Sequence, residues 1–215
     1  VERLRVGLLT TPVIAADAEV HPACLDAAAR AALLLVGLGH DVSEAPVAFA
    51  AERWNAFRSV WAVGALGIPL PPEAEPALTP LTRWLRAKGR TVSGLEYAGA
   101  MAAIQLLTSE VARTWADFDV ILSPTLAQPP ALVGSLRDDA DPASDFDAQT
   151  RFTPWTSVFN LTGRPAISLP LHTVRLEGAH SPELPIGVML GARFGAESVL
   201  LGLAAALEAV APWSH

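Results

Sequence analysis

The sequence holds a single cysteine and a single lysine, few charges of either sign, and no apolar run long enough to cross a membrane. One thiol, Cys24, excludes an internal disulfide, and its place in an Ala-rich stretch reads as a small buried hydrophobe. A membrane helix needs roughly 18 consecutive apolar residues. The longest candidate, Val60 to Pro72, falls short and ends in prolines. Charged residues make up 17% of the chain, against about 25% in an ordinary soluble domain. The net charge is −7 and no basic cluster exists. Nucleic-acid binding, which needs concentrated Arg and Lys to neutralise phosphates, is thereby excluded. No signal peptide opens the chain, so a reducing cytoplasm is the expected setting.

Metal and phosphate chemistry are missing too. The five histidines are His21, His40, His172, His180 and His215, and no pair stands at ligand spacing on a helix. No Gly-rich phosphate loop and no G-x-S-x-G elbow is present. Neither metal nor cofactor is expected. Ser123, His172 and Asp119 are the residue types of a hydrolytic triad, but nothing in their spacing joins them.

What the chain has is apolar surface. Hydrophobic residues are 51% of its 215 positions, and the mean hydropathy is +0.35. That length buries a sizeable core. The excess implies either an unusually apolar core or apolar surface that meets another piece of protein. The chain opens on Val1, as expected of a processed or truncated product. A missing half of the fold accounts for both features, and self-association of the isolated chain is the corresponding expectation.

Periodicity predicts a mixed α/β chain. Leu4 to Leu9 is an apolar run broken by Thr-Thr-Pro, the pattern of a buried strand. Pro22 fits the first turn of a helix whose face is Leu25, Ala29, Ala32 and Val36, stopped by Gly39. His40 to Glu44 follows as a strand, giving a parallel pair with a crossover. Ala48 to Gly64 is a helix, Pro69 to Pro80 a proline-rich loop, and Leu81 to Arg86 a short helix ending at Gly89. Ser93 and Glu96 form a capping box for the longest helix, with Tyr97, Met101, Ile104, Leu107, Val111 and Trp115 in one stripe. Val120 to Ser123 is a strand. Residues 126 to 150 are a long loop, functional or mobile. A helical turn over Thr153 to Leu161 ends at Gly163. Strands at Ala166 to Leu169, His172 to Leu176 and Ile186 to Leu190 follow, with a turn at Gly178 to Pro185. A last helix spans Ala196 to Val210, with Val199, Leu203, Leu207 and Val210 inward. No boundary divides the chain, so residues 1–215 read as one domain.

Leu122-Ser123-Pro124-Thr125 lies at the C-terminal end of a predicted strand, where open α/β sheets gather ligands. The segment Asp119-Val-Ile-Leu-Ser-Pro-Thr125 resembles the strand before the substrate cleft in the amidase-signature family. Phe152-Thr-Pro-Trp-Thr-Ser-Val-Phe-Asn-Leu-Thr-Gly-Arg-Pro-Ala-Ile-Ser-Leu-Pro170 is the sharpest match. Leu184-Pro-Ile-Gly-Val-Met-Leu190, Phe194-Gly195, the closing helix with Pro212-Trp213, and Gly37-Leu-Gly-His-Asp-Val42 complete it in family order. The resemblance spans essentially the whole chain. It implies the C-terminal part of the amidase-signature fold, a mixed central sheet covered by helices.

The resemblance further implies hydrolysis of carboxylic amides through a serine acyl-enzyme. In the family a lysine takes the nucleophile's proton through a second, bridging serine, which needs a buried, neutral amine. Here the pattern departs. No Gly-Ser-Ser run exists, and the lone lysine, Lys88, stands in Arg86-Ala-Lys-Gly-Arg90 as a solvated surface residue. No position carries over as nucleophile, bridge or base. What carries over is a cleft wall, with Thr125, Thr153, Trp155, Thr156 and Asn160 as substrate-binding candidates. Trp155 is the shaper of an acyl pocket or a core residue, and Asn160 a backbone clamp or a helix C-cap. The partner implied is the missing N-terminal half, with a small amide as the whole enzyme's substrate. A non-catalytic binding or regulatory module that pairs with another chain is the alternative.

Overall fold

The computed structural model describes residues 2–175 and 182–213. Five strands form one mixed sheet: β1 (Arg5–Leu8), β2 (Asp41–Glu44), β3 (Val120–Pro124), β4 (Ala166–Arg175) and β5 (Glu183–Ala192), in the order β2-β1-β3-β5-β4. β1 pairs parallel with β2 and with β3, and β5 runs antiparallel to both β3 and β4. Parallel neighbours require long crossovers. Helix α1 (Pro22–Gly37) makes the first, and α2 (Asn55–Gly67), α3 (Pro80–Thr91) and α4 (Gly94–Thr114) lie on the second. Helices α5 (Pro142–Phe152) and α6 (Thr156–Thr162) join β3 to β4, and α7 (Glu197–Val210) follows the sheet.

Side chains alternate across a strand, and both faces of the sheet are covered. Val120 and Leu122 enter one core with Val6, Leu190, Leu35 of α1, and Leu203 and Leu207 of α7. Ile121 enters the other with Met189, Trp115, and Trp155 and Phe159 beside α6. β3 is therefore buried along its whole length, which is why it reads as an unbroken apolar run.

The helices show where periodicity misleads. α1 starts at Pro22 as expected, capped by His21, whose Nδ1 accepts the Ala23 N–H at 3.1 Å. Its buried face is Cys24, Ala27, Ala28, Ala31, Ala32 and Leu35; of the expected stripe only Ala32 is buried, and Val36 is 53% exposed. A helix apolar nearly all round offers no unique stripe. In α7, Leu200 joins Leu203 and Leu207 in the core, while Val210 is half exposed. The expected helix from Ala48 begins instead with a 3-10 turn, Ala51–Trp54. The proline-rich loop likewise holds a 3-10 turn, Pro72–Ala77.

Gly89 is not a helix stop. α3 runs on to Thr91, and Gly89 lies against α2, where a Cβ would fall 2.4 Å from the Ala62 carbonyl oxygen. One turn earlier, buried Arg86 donates through Nη1 to the carbonyls of Ala65, Leu66 and Ile68 and pairs with Glu75. The last carbonyls of a helix have no partners of their own, so Arg86 of α3 serves as the C-terminal cap of α2. Ser93 caps α4 by accepting the Glu96 N–H, while Glu96 turns outward to accept from Ser59 at 2.7 Å.

The expected long loop over 126 to 150 contains α5, whose N-terminus is held by Asp141 Oδ1 accepting from Ala143 and Ser144. The two short strands expected around Pro170 are one strand, β4, with an irregular register between Leu169 and His172. Leu176, residues 178–181 of the expected turn, and His215 lie outside the described residues, while residues 183–185 of that turn already belong to β5. Among the described residues no helix is long and apolar enough to cross a membrane.

Candidate active site

β1 and β3 point the same way, and ligands in such sheets gather beyond the carboxyl ends of parallel strands. Three irregular segments meet there: residues 9–21 after β1, residues 125–128 after β3, and the α5–α6 junction. Irregular backbone must still pair its N–H and C=O groups, and these segments pair with one another. His21 donates to the Ala127 carbonyl at 2.8 Å, and Ala127 to that of Phe152 at 3.0 Å. Val13 and Ile14 both donate to the Pro154 carbonyl at 3.1 Å. Trp155 Nε1 donates to the Thr11 carbonyl at 2.9 Å.

The candidate residues fall on this frame unevenly. Thr153, Trp155 and Thr156 sit together at the junction: Thr153 Oγ1 donates to Gln149 O at 2.9 Å, and Thr156 Oγ1 to Thr153 O at 3.3 Å. Trp155 is 1% exposed and lies within the core. Asn160 is exposed one turn beyond Thr156, on the same side of α6. The helix cap is Gly163, in the left-handed region at φ 65, so Asn160 is free of that role. Thr125, at the exit of β3, donates its N–H to Gly187 O and shares a 2.7 Å hydrogen bond with Ser168 Oγ of β4.

Two glycines make this arrangement possible. A Cβ at Gly187 would lie 2.8 Å from Ser168 Oγ and 3.0 Å from Thr125 Oγ1, so only glycine leaves room for the hydroxyl pair. A Cβ at Gly191 would lie 1.9 Å from the Phe159 ring, which seats α6 on the sheet there. Ser168 and Gly187 were not among the sequence candidates. Their signal lay in the Ile-Ser-Leu and Ile-Gly-Val runs, but cross-strand register is needed to bring them to Thr125.

Other reactive groups are elsewhere. Lys88 is exposed on α3, with Nζ 5.7 Å above the Trp84 ring. Ser123 is buried, its hydroxyl donating to Pro124 O at 2.9 Å. Asp119 stands at the opposite end of β3, held by Arg5 at 3.1 Å and Arg193 at 3.0 Å. The Arg5 hydrogen bonds hold its carboxyl below the usual carboxylate range. His172 lies on β4 beyond the irregularity, so Ser123, His172 and Asp119 do not converge. Burial pushes the Cys24 thiol up to about 11. Among the described residues no three His, Cys, Asp or Glu side chains are grouped as metal ligands.

The family model described as Amidase matches residues 1–201. The chain belongs to the amidase family. It is 33% identical over 227 residues to 6-aminohexanoate-cyclic-dimer hydrolase of Paenarthrobacter ureafaciens, covering 98% of this chain and 44% of that protein. It is 32% identical to the putative amidase AmiC of Mycobacterium tuberculosis, covering 100% of this chain and 45% of that one. Among solved amidases, the substrate complex of 6-aminohexanoate cyclic dimer hydrolase superposes with a TM-score of 0.81 at 28% identity, over 98% of this chain and 46% of that one. A bacterial aryl acylamidase of the amidase-signature family shares the fold, at TM-score 0.69 and 18% identity. The chain thus spans under half the length of the amidases it matches.

Proposed function

We propose that this chain is the C-terminal portion of an amidase that hydrolyses carboxylic amides through a serine acyl-enzyme, and that it is inactive alone. It supplies sheet, core and one wall of the substrate cleft. The nucleophile, bridging serine and lysine come from the Gly- and Ser-rich region that precedes this part in the family. The observation that carries the reading is the family match over residues 1–201 in a sequence that holds no Gly-Ser-Ser run and whose lone lysine is exposed. In the assembled enzyme a serine hydroxyl, relieved of its proton by the neutral lysine, attacks the amide carbonyl. The amine leaves, and water releases the acid.

Within that enzyme, Thr125, Thr156 and Asn160 present polar groups along the wall, Thr153 stands at its corner, and Trp155 fixes its shape from below. The missing N-terminal half is the partner. Supporting this, the outer side of the ten-residue strand β4 pairs with no strand among the described residues, and Leu132, Val133 and Phe194 are 84%, 107% and 82% exposed. Unpaired strand edges and exposed apolar groups are features that folds ordinarily cover.

The test is hydrolysis of simple aryl and alkyl amides. The purified chain alone is expected to show no turnover, and the product of the coding frame extended upstream into a Gly- and Ser-rich stretch is expected to turn over. Turnover by the chain alone overturns the proposal, and its loss in Lys88→Ala would make Lys88 the base. An upstream frame without such a stretch favours a non-catalytic module instead.

A further inference from the structure

Two side chains of ordinarily charged type, Arg86 and Asp145, are almost fully buried among the described residues, and they differ in one respect. Arg86, 6% exposed, has its counterion in Glu75. Asp145, 2% exposed, forms no ion pair among the described residues. Its Oδ1 accepts from Gln149 Nε2 at 2.6 Å, and its Oδ2 accepts from no described group. The sealed side-chain polar atoms that lack a partner are Trp54 Nε1 and Arg58 Nε. Oδ2 lacks one too and is not among them, so it is not sealed, and it opens on the cavity that Asp145 lines. A buried charge is ordinarily paired, because water no longer stabilises it. Asp145 stands in the first turn of α5, whose positive end offsets part of that cost but gives Oδ2 no donor.

The cavity lies between the start of α3, residues 131–139 and the first turns of α5, and its volume is about 500 Å³. Leu81, Leu132, Val133 and Leu136 give it apolar walls. Arg137 and Asp139, also in the lining, satisfy each other through two hydrogen bonds of 2.6 and 2.9 Å. Arg137 stays outside ion-pair distance of Asp145. The charge left over on the lining is therefore that of Asp145. Among the described residues no three acidic, His or Cys side chains group as metal ligands, here or elsewhere. A single carboxylate oxygen beside leucines suits an organic cation better, which needs one N–H for the oxygen and a hydrocarbon body for the walls. Small-molecule sites have this make-up, with roughly 300–1,000 Å³ of mostly apolar lining and a few placed polar groups.

We propose that this cavity binds an organic monocation, a primary ammonium on an apolar body of phenyl size or larger, since roughly 150 Å³ already admits benzene. The ammonium donates to Asp145 Oδ2, and the body rests on Leu81 and Leu136. Asp145 and Thr153 lie at opposite ends of α5, so the site is apart from the cleft wall. It stands whether or not the assembled protein cleaves amides.

The experiment reads binding by the chain itself. Benzylammonium chloride is added while the side-chain amide resonance of Gln149 is followed, the group bonded to Asp145 and identified by its loss in Gln149→Met. A saturable movement is expected. Benzyl alcohol has the same body without charge, and benzoate has the opposite charge; both are expected to leave the resonance in place at equal concentration. Asp145→Asn should weaken benzylammonium about ten- to hundredfold, the worth of a hydrogen bond to a charged group. Unchanged indole resonances of Trp115 and Trp155 certify that the variant is folded. Arg137→Gln, at an exposed position, removes the positive charge from the lining and should tighten benzylammonium, which keeps the test open should Asp145→Asn not fold. No saturable shift, an equal response to benzyl alcohol, binding that Asp145→Asn leaves intact, or binding that Arg137→Gln weakens overturns the site.

Discussion

Replacing Gly89 with alanine tests the packing of α2 on α3, because two effects of opposite sign meet there. Glycine inside a helix is less favourable than alanine by about 1 kcal/mol, so propensity alone predicts that Gly89→Ala stabilises. The new Cβ, however, would lie 2.4 Å from Ala62 O and 2.9 Å from Ala62 C, both backbone atoms. Attractive carbon contacts begin near 3.5 Å, so the helices must part by about 1 Å. Overpacking of this kind costs typically 1–3 kcal/mol. The movement also drags Arg86 away from the carbonyls it caps. The net expectation is destabilisation by about 1–2 kcal/mol. Gly99→Ala is the matched control: it lies in α4 with nothing within 4 Å of the added Cβ, and should stabilise by about 1 kcal/mol. Urea unfolding of both variants beside the parent reads the signs directly. A higher midpoint for Gly89→Ala would refute the contact argument, and a lower one for Gly99→Ala would refute the propensity baseline.

Three other outcomes follow from named groups. Arg86→Ala leaves the last carbonyls of α2 without donors and Glu75 with a weaker partner; it should lower stability by about 2–3 kcal/mol, and a change near zero in urea unfolding would contradict the capping role. Asp119 has a folded pKa below its unfolded value of about 3.9, so the stability it contributes is complete above the unfolded value and vanishes as pH falls through the folded one. The gap in urea midpoint between the parent and Asp119→Asn should therefore be widest near neutrality and close on acidification, and a gap that persists in acid would exclude Arg5 and Arg193 as its source. Cys24, 1% exposed and with its thiol pushed up to about 11, should resist aromatic disulfide reagents in the folded chain and react fully in denaturant; prompt labelling of folded protein would mean that α1 does not sit as described.

The strands and their parallel pairing were legible in the sequence because short apolar runs bounded by Pro and Gly have few alternatives. The face of α1 was not, because Leu25, Ala29 and Val36 are as apolar as the Cys24, Ala28 and Leu35 that are buried. Gly89 illustrates a different limit. Sequence gives glycine one local meaning, the end of a helix, whereas here its meaning is the nearness of Ala62, twenty-seven residues away. Composition hid α5, since a window rich in Pro, Asp and Ala scores as loop until Asp141 is seen to cap it. At the site, the Thr153–Asn160 segment was visible as a motif block. The Thr125–Ser168 pair depends on cross-strand register, which the order of residues does not encode locally.

The bonds that draw together the strand exits have a kinetic side. Trp155 and Thr11 are 144 residues apart in the chain, and Val13 with Pro154 spans almost as far. Closing such loops is slow compared with forming the contacts among α2, α3 and α4. During synthesis the loop after β1 leaves the ribosome long before Pro154 and Trp155 do, so it waits with its backbone groups held only by water. The helical layer is then an early unit, and the junction at the strand exits takes shape only when the last third of the polypeptide arrives to claim those waiting carbonyls and amides.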